Sequence, residues 1–542
     1  MWENMVEVLS LRNRVANYIL ISIVILYFIL APGVNILYYG GEDFRYAMGG
    51  AHRTCGGDDG FYFMKTLGRP LQAYMDCVVY KSIYSLNQLP WLRFIAVALL
   101  GIGMGLVAEW LTLLGFSTLG AFSVAGSLFL IQKLYSDTVL TAAISLPFAV
   151  LFVVLGYRCQ NLAYSQPNKK RWNFLAALLY LCGMLTYPAM AFFFGSLVLI
   201  KLLFSRLVDW HKTRREVLQE LILFTLVTVV YFAWASLNMH FHAEAPIPRQ
   251  YRLHPNFNPF ELWDRAKLLF NLFDGGPWVL LFPLGFPYGG SVTQGWLTSI
   301  LLGGGLCLGM FSFIMSPFFS RSKRQAAASL LQAIIAVMTV LLFCSTFYLI
   351  IPNRETVGSR LLFASVASGV PIYFWLFYQW CTILPNKLRV GVASLMIAAF
   401  CLLEAYQANL IIMYNALNYA QTFNATKSQV TAFLAKDPQF DRIHYVLPAE
   451  EIGYNRFFLT NAVLVNLYGR ENVEPTWCSL PRGIPGEEKN HQAEVVACLK
   501  NLPKNGVAVT YSRPGDAYHK TPHTLVIKNK SQFLDFTGWI KL

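Results

Sequence analysis

The chain has 542 residues, of which 56% are hydrophobic and only 13% are charged. Soluble domains carry about a quarter charged residues, so this composition argues against a soluble protein. The formal net charge of +14 would suit nucleic acid, but the basic residues lie in short connectors between apolar segments, which argues against that partner. We predict a polytopic α-helical membrane protein that contacts the lipid bilayer.

Apolar segments along the chain are long enough to cross a hydrocarbon core of about 30 Å. About eleven spans fit, at 15–37, 91–114, 118–134, 139–157, 173–187, 188–206, 218–239, 295–318, 326–351, 361–380 and 390–416. A proline in "LTYPAM" (185–190) divides the long stretch 173–206 into two helices. The segment 277–290 contains three prolines, which favours a re-entrant or interfacial piece over a span.

Basic residues predict the orientation, because cytoplasmic loops are rich in Lys and Arg. The clusters are Arg158 with Lys169, Lys170 and Arg171; Lys212 with Arg214 and Arg215; and Arg321 with Lys323 and Arg324. All lie in the cytoplasm if the N-terminus, with Arg12 and Arg14, does too. This topology places the first loop, 38–90, and the tail after about 418 on the outer side.

The tail is polar and contains short apolar runs. These are "RIHYVLP", "AVLVNLYG", "GVAVTYS" and "HTLVIKN", separated by helical or turn-like segments. The pattern predicts a small α/β domain. We therefore divide the chain into a transmembrane domain, 1–417, and an extracytoplasmic α/β domain, 418–542.

Four cysteines fall on the outer side in this topology. Cys55 and Cys77 form a pair in the first loop, and Cys478 and Cys498 form a pair in the tail. An oxidising compartment would permit one disulfide in each pair. The alternative is that all four are free thiols.

The first loop places two acids, Glu42 and Asp43, side by side at the end of the first span. A carboxylate there can accept a proton from a hydroxyl that attacks a sugar. The loop also supplies Arg45, Lys65 and Arg69, and such cations can hold the phosphate of a lipid-linked sugar. The alternative is that the acids only solvate the end of a helix.

Motifs in roughly the first two hundred residues resemble the serotype-converting O-antigen glucosyltransferases (Gtr type II) of the GT-C superfamily. The resemblance rests on "EDFRYAMGG" (42–50) and "LGRPLQAYMD" (67–76), with weaker matches at "QKLYSDTVLTAAISLPFAV" (132–150) and "LTYPAMAFFF" (185–194). Matching positions are Glu42, Asp43, Arg45, Gly68, Arg69, Pro70, Leu71, Tyr135 and Asp137. Glu42 stands where the family usually has Asp, and the spacing to Arg45 is shorter.

The resemblance implies a GT-C-like fold and the transfer of a hexose, such as glucose, from a polyprenyl-phosphate donor. The acceptor would be a glycan such as lipid-linked O-antigen, on the periplasmic side of a bacterial inner membrane. We expect Asp43 to act as the base, with Glu42 in support and Asp137 closing the acidic face. Arg69 and Arg360 are expected to hold the donor phosphate, since a leaving phosphate beside carboxylates needs positive charge.

No cofactor is predicted. The cytoplasmic loops contain no nucleotide-binding glycine pattern, which favours a lipid-phosphate donor, and no His/Cys/Asp cluster has metal-ligand spacing. The sequence leaves open whether a divalent ion bridges Asp43 and Asp137. Glu109 and Glu404 lie within or near spans, where an acid is costly and often functional. We place both close to helix ends, which argues against a functional role.

A flippase or transporter of lipid-linked sugars is the alternative function. Such proteins tend to have charges within their spans. They also commonly show paired halves or inverted repeats, which this sequence lacks. A membrane assembly protein whose tail binds partners is a third class. A long acidic first loop and a large outer domain fit an enzyme better.

Overall fold

The computed structural model describes the chain in separate stretches. They are residues 2–38, 64–65, 68–82, 88–140, 143–205, 210–241, 258–260, 263–264, 363–381, 384–435, 442–448, 474–480, 507–510 and 524–526. The predicted spans 295–318 and 326–351, the segment 277–290 and most of the first loop lie outside the described residues.

Helices make up most of the described part. They are α1 (Trp2–Asn35), α2 (Pro70–Lys81), α3 (Leu89–Leu113), α4 (Thr118–Phe129), α5 (Gln132–Leu140), α6 (Ser145–Ser165), α7 (Lys169–Thr186), α8 (Pro188–Ala191), α9 (Phe194–Phe204), α10 (Trp210–Phe241), α11 (Phe363–Trp380) and α12 (Asn386–Leu434). The final helix continues beyond residue 418, so the first residues of the predicted tail are helical.

Five segments of the described helices are long and apolar enough to cross a membrane. They are Asn13–Asn35, Leu89–Leu113, Ser145–Ser165, Trp210–Asn238 and Leu388–Gln421. Shorter apolar helices cover Thr118–Phe129, Pro188–Phe204 and Val366–Trp375. These helices define a multi-pass membrane protein, as the composition predicts, while the total of about eleven spans stays a prediction.

Local sequence sets two of the helix boundaries. Helix α4 begins after Ser117, whose hydroxyl accepts a hydrogen bond of 3.1 Å from the N–H of Gly120, in the usual manner of an N-cap. Helix α7 ends before Tyr187, which is extended, and Pro188 opens α8. Because proline lacks an N–H and fits the first turn of a helix, the predicted break in "LTYPAM" is confirmed.

Two glycines allow α1 and α3 to pack backbone against backbone. A Cβ atom at Gly101 would lie 2.6 Å from the Cα of Ile23, and one at Gly105 would lie 2.6 Å from the Cα of Ile19. Glycines four residues apart occupy one face of a helix, and this spacing is typical of close helix pairs in membranes. The first span is therefore held against α3 by shape.

Buried ion pairs join other helices. The Lys201 ammonium lies 2.6 Å from a carboxylate oxygen of Glu220 and 2.9 Å from one of Glu216, which links α9 to α10. Arg158 of α6 forms an ion pair with the buried Glu109 of α3. Charges are costly among membrane helices, and pairing is the usual way to keep them there.

The tail contains a four-stranded parallel sheet. Its strands are β1 (Arg442–Pro448), β2 (Glu474–Leu480), β3 (Val507–Thr510) and β4 (Thr524–Val526), in the order β2-β1-β3-β4. Strand β1 has the bounds of the predicted run "RIHYVLP", whereas β2 was not predicted. Parallel strands need long crossover connections, and these connections lie outside the described residues, so the helices of the α/β domain stay a prediction.

The chain divides into two compact units. One contains Met1–Ile36, Arg53–Val79 and Leu89–Ala416, and it includes most of the helices. The other contains Leu37–His52, Tyr80–Gln88 and Leu417–Leu542, and it includes the sheet.

The contact between α1 and α3 yields a stability prediction. We expect Gly101→Ala to destabilise the protein by about 1–3 kcal/mol, because the added methyl group must displace the backbone of α1. The matched control is Gly391→Ala, since nothing lies within 4 Å of a Cβ at that position. Apparent melting temperatures of the two variants in detergent provide the measurement. Equal melting temperatures would contradict the close packing.

Candidate functional site

Helix α2 buries two polar side chains beside the apolar Ala73, Cys77 and Tyr80, and it exposes two apolar side chains. Gln72 and Asp76 are buried, with 6% and 2% of their surface exposed. On the opposite side, Tyr74 is 58% exposed and Val78 is 46% exposed. A surface helix of a soluble protein has the reverse arrangement. In a membrane protein, the exposed apolar side suits contact with lipid and the buried polar side lines the protein interior.

The turn before α2 is held by α10. Gly68 has a φ of 78°, a value that favours glycine. The Tyr231 hydroxyl donates a hydrogen bond of 3.0 Å to the carbonyl of Gly68. The side-chain amide of Asn238 donates one of 3.1 Å to the carbonyl of Lys65. Two side chains from one helix therefore fix the backbone on either side of this turn.

Arg69 extends from this fixed turn onto an aromatic ring. Its guanidinium carbon lies 4.2 Å from the ring centroid of Tyr187, which is a cation–π contact. The Nε of Arg69 is buried, and the described residues provide it with no hydrogen-bond acceptor. This is a rigidly placed cation with a donor that an anionic oxygen can satisfy.

Gln72 lies one turn after Arg69 and contacts the start of α6. Its Nε2 donates a hydrogen bond of 3.3 Å to the hydroxyl of Ser145, and the pair is buried. Its Oε1 is buried as well and accepts no hydrogen bond within the described part of the chain. Buried polar atoms are normally paired, so this acceptor calls for an explanation.

Asp137 lies in the short helix α5, in a run of buried residues. Tyr135, Ser136, Asp137 and Thr138 are all less than 9% exposed. Burial raises the pKa of Tyr135, and the carboxyl group of Glu404 raises it further. Tyr135 is therefore a neutral phenol at physiological pH. Glu42 and Asp43 lie outside the described residues, so the approach of Asp137 to them stays a prediction.

The other predicted site residues divide into two groups. Lys65 is described, and α10 holds its backbone carbonyl, as stated above. Glu42, Asp43, Arg45 and Arg360 lie outside the described residues, so their roles stay predictions. The structure thus places Lys65 and Arg69 in one turn beside α10 but does not test their meeting with the acids.

The two acids predicted within or near spans differ in their surroundings. Glu109 forms the ion pair with Arg158, so its environment explains its burial. Glu404 is 5% exposed and lies beside Ser127, outside hydrogen-bond geometry. It occupies the middle of the span Leu388–Gln421, so placing it near a helix end was wrong.

Several buried residues near the site were not predicted. They are Gln72, Asp76, Tyr187 and Tyr231. A signal existed for the α2 pair, since Arg69, Gln72 and Asp76 recur at three- and four-residue spacing while the spacing of Tyr74 and Val78 places them on the opposite side of the helix. Tyr187 and Tyr231 join the site only through tertiary contacts, which the local sequence does not encode.

The described residues contain no group of three or more His, Cys, Asp or Glu side chains placed to hold a metal ion. The suggested bridge between Asp43 and Asp137 stays a prediction, because Asp43 lies outside those residues.

Comparisons with known proteins show a distant structural likeness. No protein-family model matches the chain, and no curated protein matches its sequence. Among solved structures, the chain is similar to the Archaeoglobus fulgidus oligosaccharyltransferase in complex with Zn and sulfate, with a TM-score of 0.39 and 14% identity. The likeness covers 84% of this chain and 62% of the archaeal one. A likeness this distant assigns neither a fold family nor a function to the chain.

The cysteines yield a prediction about the first loop. Cys77 is buried and forms a disulfide, while Cys159, Cys182, Cys381 and Cys401 are free. The partner of Cys77 lies outside the described residues, as do Cys55, Cys498 and the side chain of Cys478, so both predicted pairings stay predictions.

We expect Cys55→Ser to release the Cys77 thiol, because its partner would be gone. Maleimide labelling of the denatured, unreduced protein, followed by peptide mass spectrometry, would detect the free thiol. Cys401→Ser is the control and should leave Cys77 unlabelled. A Cys77 that stays oxidised in the Cys55→Ser variant would show that it pairs with another cysteine.

Proposed function

We propose that the chain is a membrane glycosyltransferase of the GT-C kind. It transfers a hexose, such as glucose, from a polyprenyl-phosphate donor to a glycan acceptor such as lipid-linked O-antigen. The reaction takes place on the periplasmic side of a bacterial inner membrane, the side on which the α/β tail domain also lies. The observation that carries the proposal is α2, which has Arg69 at its start, buries Gln72 and Asp76, and exposes Tyr74 and Val78.

A polyprenyl-phosphate sugar combines a long apolar chain with a charged, polar head group. The exposed side of α2, with Tyr74 and Val78, suits the apolar chain. Arg69 precedes this helix by one residue and lies over Tyr187. From there it can bind the phosphate while the apolar chain of the donor stays in the lipid. One helix at the membrane surface thus provides for both parts of the donor.

Arg69 has two tasks in the proposed reaction. In the ground state, its guanidinium pairs with the phosphate that links the lipid to the sugar. As the bond between the anomeric carbon and the phosphate oxygen breaks, negative charge grows on the leaving group, and a fixed cation stabilises it. Lys65, Arg45 and Arg360 add positive charge to the same site.

Asp43 is the proposed base. The acceptor hydroxyl oxygen forms a bond with the anomeric carbon, its proton passes to the Asp43 carboxylate, and polyprenyl phosphate departs. Because neighbouring residues point in different directions, only one of Glu42 and Asp43 can face the acceptor. Glu42 supports Asp43, and Asp137 closes the acidic face of the site.

A transfer assay tests the function directly. Purified protein in lipid nanodiscs would be incubated with radiolabelled polyprenyl-phosphate hexose and a lipid-linked glycan. The proposal expects label on the glycan. Movement of intact donor across a liposome membrane without transfer would instead support the flippase alternative, and neither activity would contradict both.

We expect Asp43→Asn to reduce transfer by about 10²–10⁴-fold, because the reaction loses its positioned base. The amount of protein in the membrane should not change. Asp58→Asn and Asp59→Asn are matched controls from the centre of the same loop and should retain transfer. If the control variants lose transfer and Asp43→Asn keeps it, Glu42 and Asp43 only solvate the end of the first span.

We expect Arg69→Ala to weaken use of the lipid donor by at least about tenfold, since hydrogen bonds to charged groups contribute about 1.5–3 kcal/mol. The measurement is transfer rate against donor concentration at a fixed acceptor concentration. Lys81→Ala, at the exposed end of the same helix, is the matched control and should behave as wild type. Equal effects of the two substitutions would contradict a specific phosphate contact.

A further inference from the structure

The side-chain amide of Gln72 forms a hydrogen bond through its nitrogen but not through its oxygen. Its Nε2 donates to Ser145, so the Oε1 end of the amide points away from Ser145. Its Oε1 is buried and accepts no hydrogen bond from the described residues. A buried acceptor without a donor reduces stability, so its presence suggests that a donor arrives with a ligand.

The chemistry of Oε1 limits the group that can bind it. A carbonyl oxygen accepts hydrogen bonds and donates none, so a phosphate oxygen is excluded as its partner. A cationic ligand is disfavoured because the guanidinium of Arg69 lies one turn away. A neutral hydroxyl group is both able to donate and free of charge, and it is the abundant polar group of a sugar.

The position of Gln72 points to the sugar of the lipid donor. Gln72 follows Arg69 by three residues, so the two lie on the same side of the helical segment. Three residues advance a helix by about 4.5 Å, comparable to the distance between a phosphate and the ring of the sugar attached to it. A donor whose phosphate contacts Arg69 would therefore place its hexose beside Gln72.

We propose that Gln72 binds a hydroxyl group of the hexose on the lipid donor and thereby contributes to sugar recognition. Ser145 acts as a positioning residue, because it holds the Nε2 end and leaves Oε1 facing the ligand. This assignment rests on the proposed function, since it requires a sugar-carrying lipid phosphate at Arg69. It adds a contact that would let the protein bind the sugar-carrying lipid more tightly than the bare lipid phosphate.

The test compares two ligands that differ only in the sugar. Binding of polyprenyl-phosphate hexose and of unglycosylated polyprenyl phosphate would be measured for wild-type and variant protein in nanodiscs. Gln72→Leu removes the acceptor and should weaken binding of the hexose lipid by about tenfold, while the bare lipid phosphate binds within about twofold of wild type. Gln72→Met, which keeps the length of the side chain, should give the same result if Gln72→Leu fails to fold.

The control variant is Gln219→Leu, whose side chain contacts Lys169 at the start of α7 and lies away from the proposed site. It should leave the binding of both lipids unchanged. A Gln72 variant that binds both lipids as wild type does, or loses both equally, would overturn the assignment while leaving the proposed function intact. A wild-type protein that binds neither lipid would overturn the proposed function and the assignment together.

Discussion

Polar groups in a hydrocarbon layer must find partners within the protein, and the described helices depend on this constraint. Lys201 pairs with Glu220 between α9 and α10, and Arg158 pairs with Glu109 between α3 and α6. These pairs bring charged side chains into the bundle at a tolerable cost. Helix α2 turns Gln72 and Asp76 towards the protein as well, and it leaves Tyr74 exposed.

In the described part of the chain, two buried polar atoms at the start of α2 lack the kind of partner that the ion pairs provide. Glu109 and Glu220 each have one oxygen bound to a cation and one without a hydrogen bond. The Nε of Arg69 and the Oε1 of Gln72 have no hydrogen-bond partner among the described residues, and neither group belongs to an ion pair there. The Tyr187 ring and the two side-chain bonds from α10 nonetheless hold this region in place. A rigid setting around unsatisfied polar atoms is what a preorganised binding site requires, and the proposed donor would supply an anion for one atom and a hydroxyl for the other.

Much of the helical architecture could be predicted from the sequence, because apolar length and proline position are local signals. The break at Pro188 is an example. The strand Arg442–Pro448 could also be predicted, because it is a short apolar run. Strand β2 was missed because "EPTWCSL" has no apolar run, and its pairing with β1 is a tertiary contact. In the site, Arg69 was predicted from its charge and its motif. Gln72 was not, since a neutral amide gives no signal until its buried surroundings are known.

The central claim is that a lipid-linked phosphate binds where α2 turns its polar side inward. A cryo-EM structure of the full chain in a lipid nanodisc with polyprenyl-phosphate hexose would test it most directly. The account predicts phosphate density within hydrogen-bond distance of Arg69 and the lipid chain along Tyr74 and Val78. Donor density at the far end of the helices, around Lys169 and Lys201, with Arg69 left without a phosphate, would contradict it.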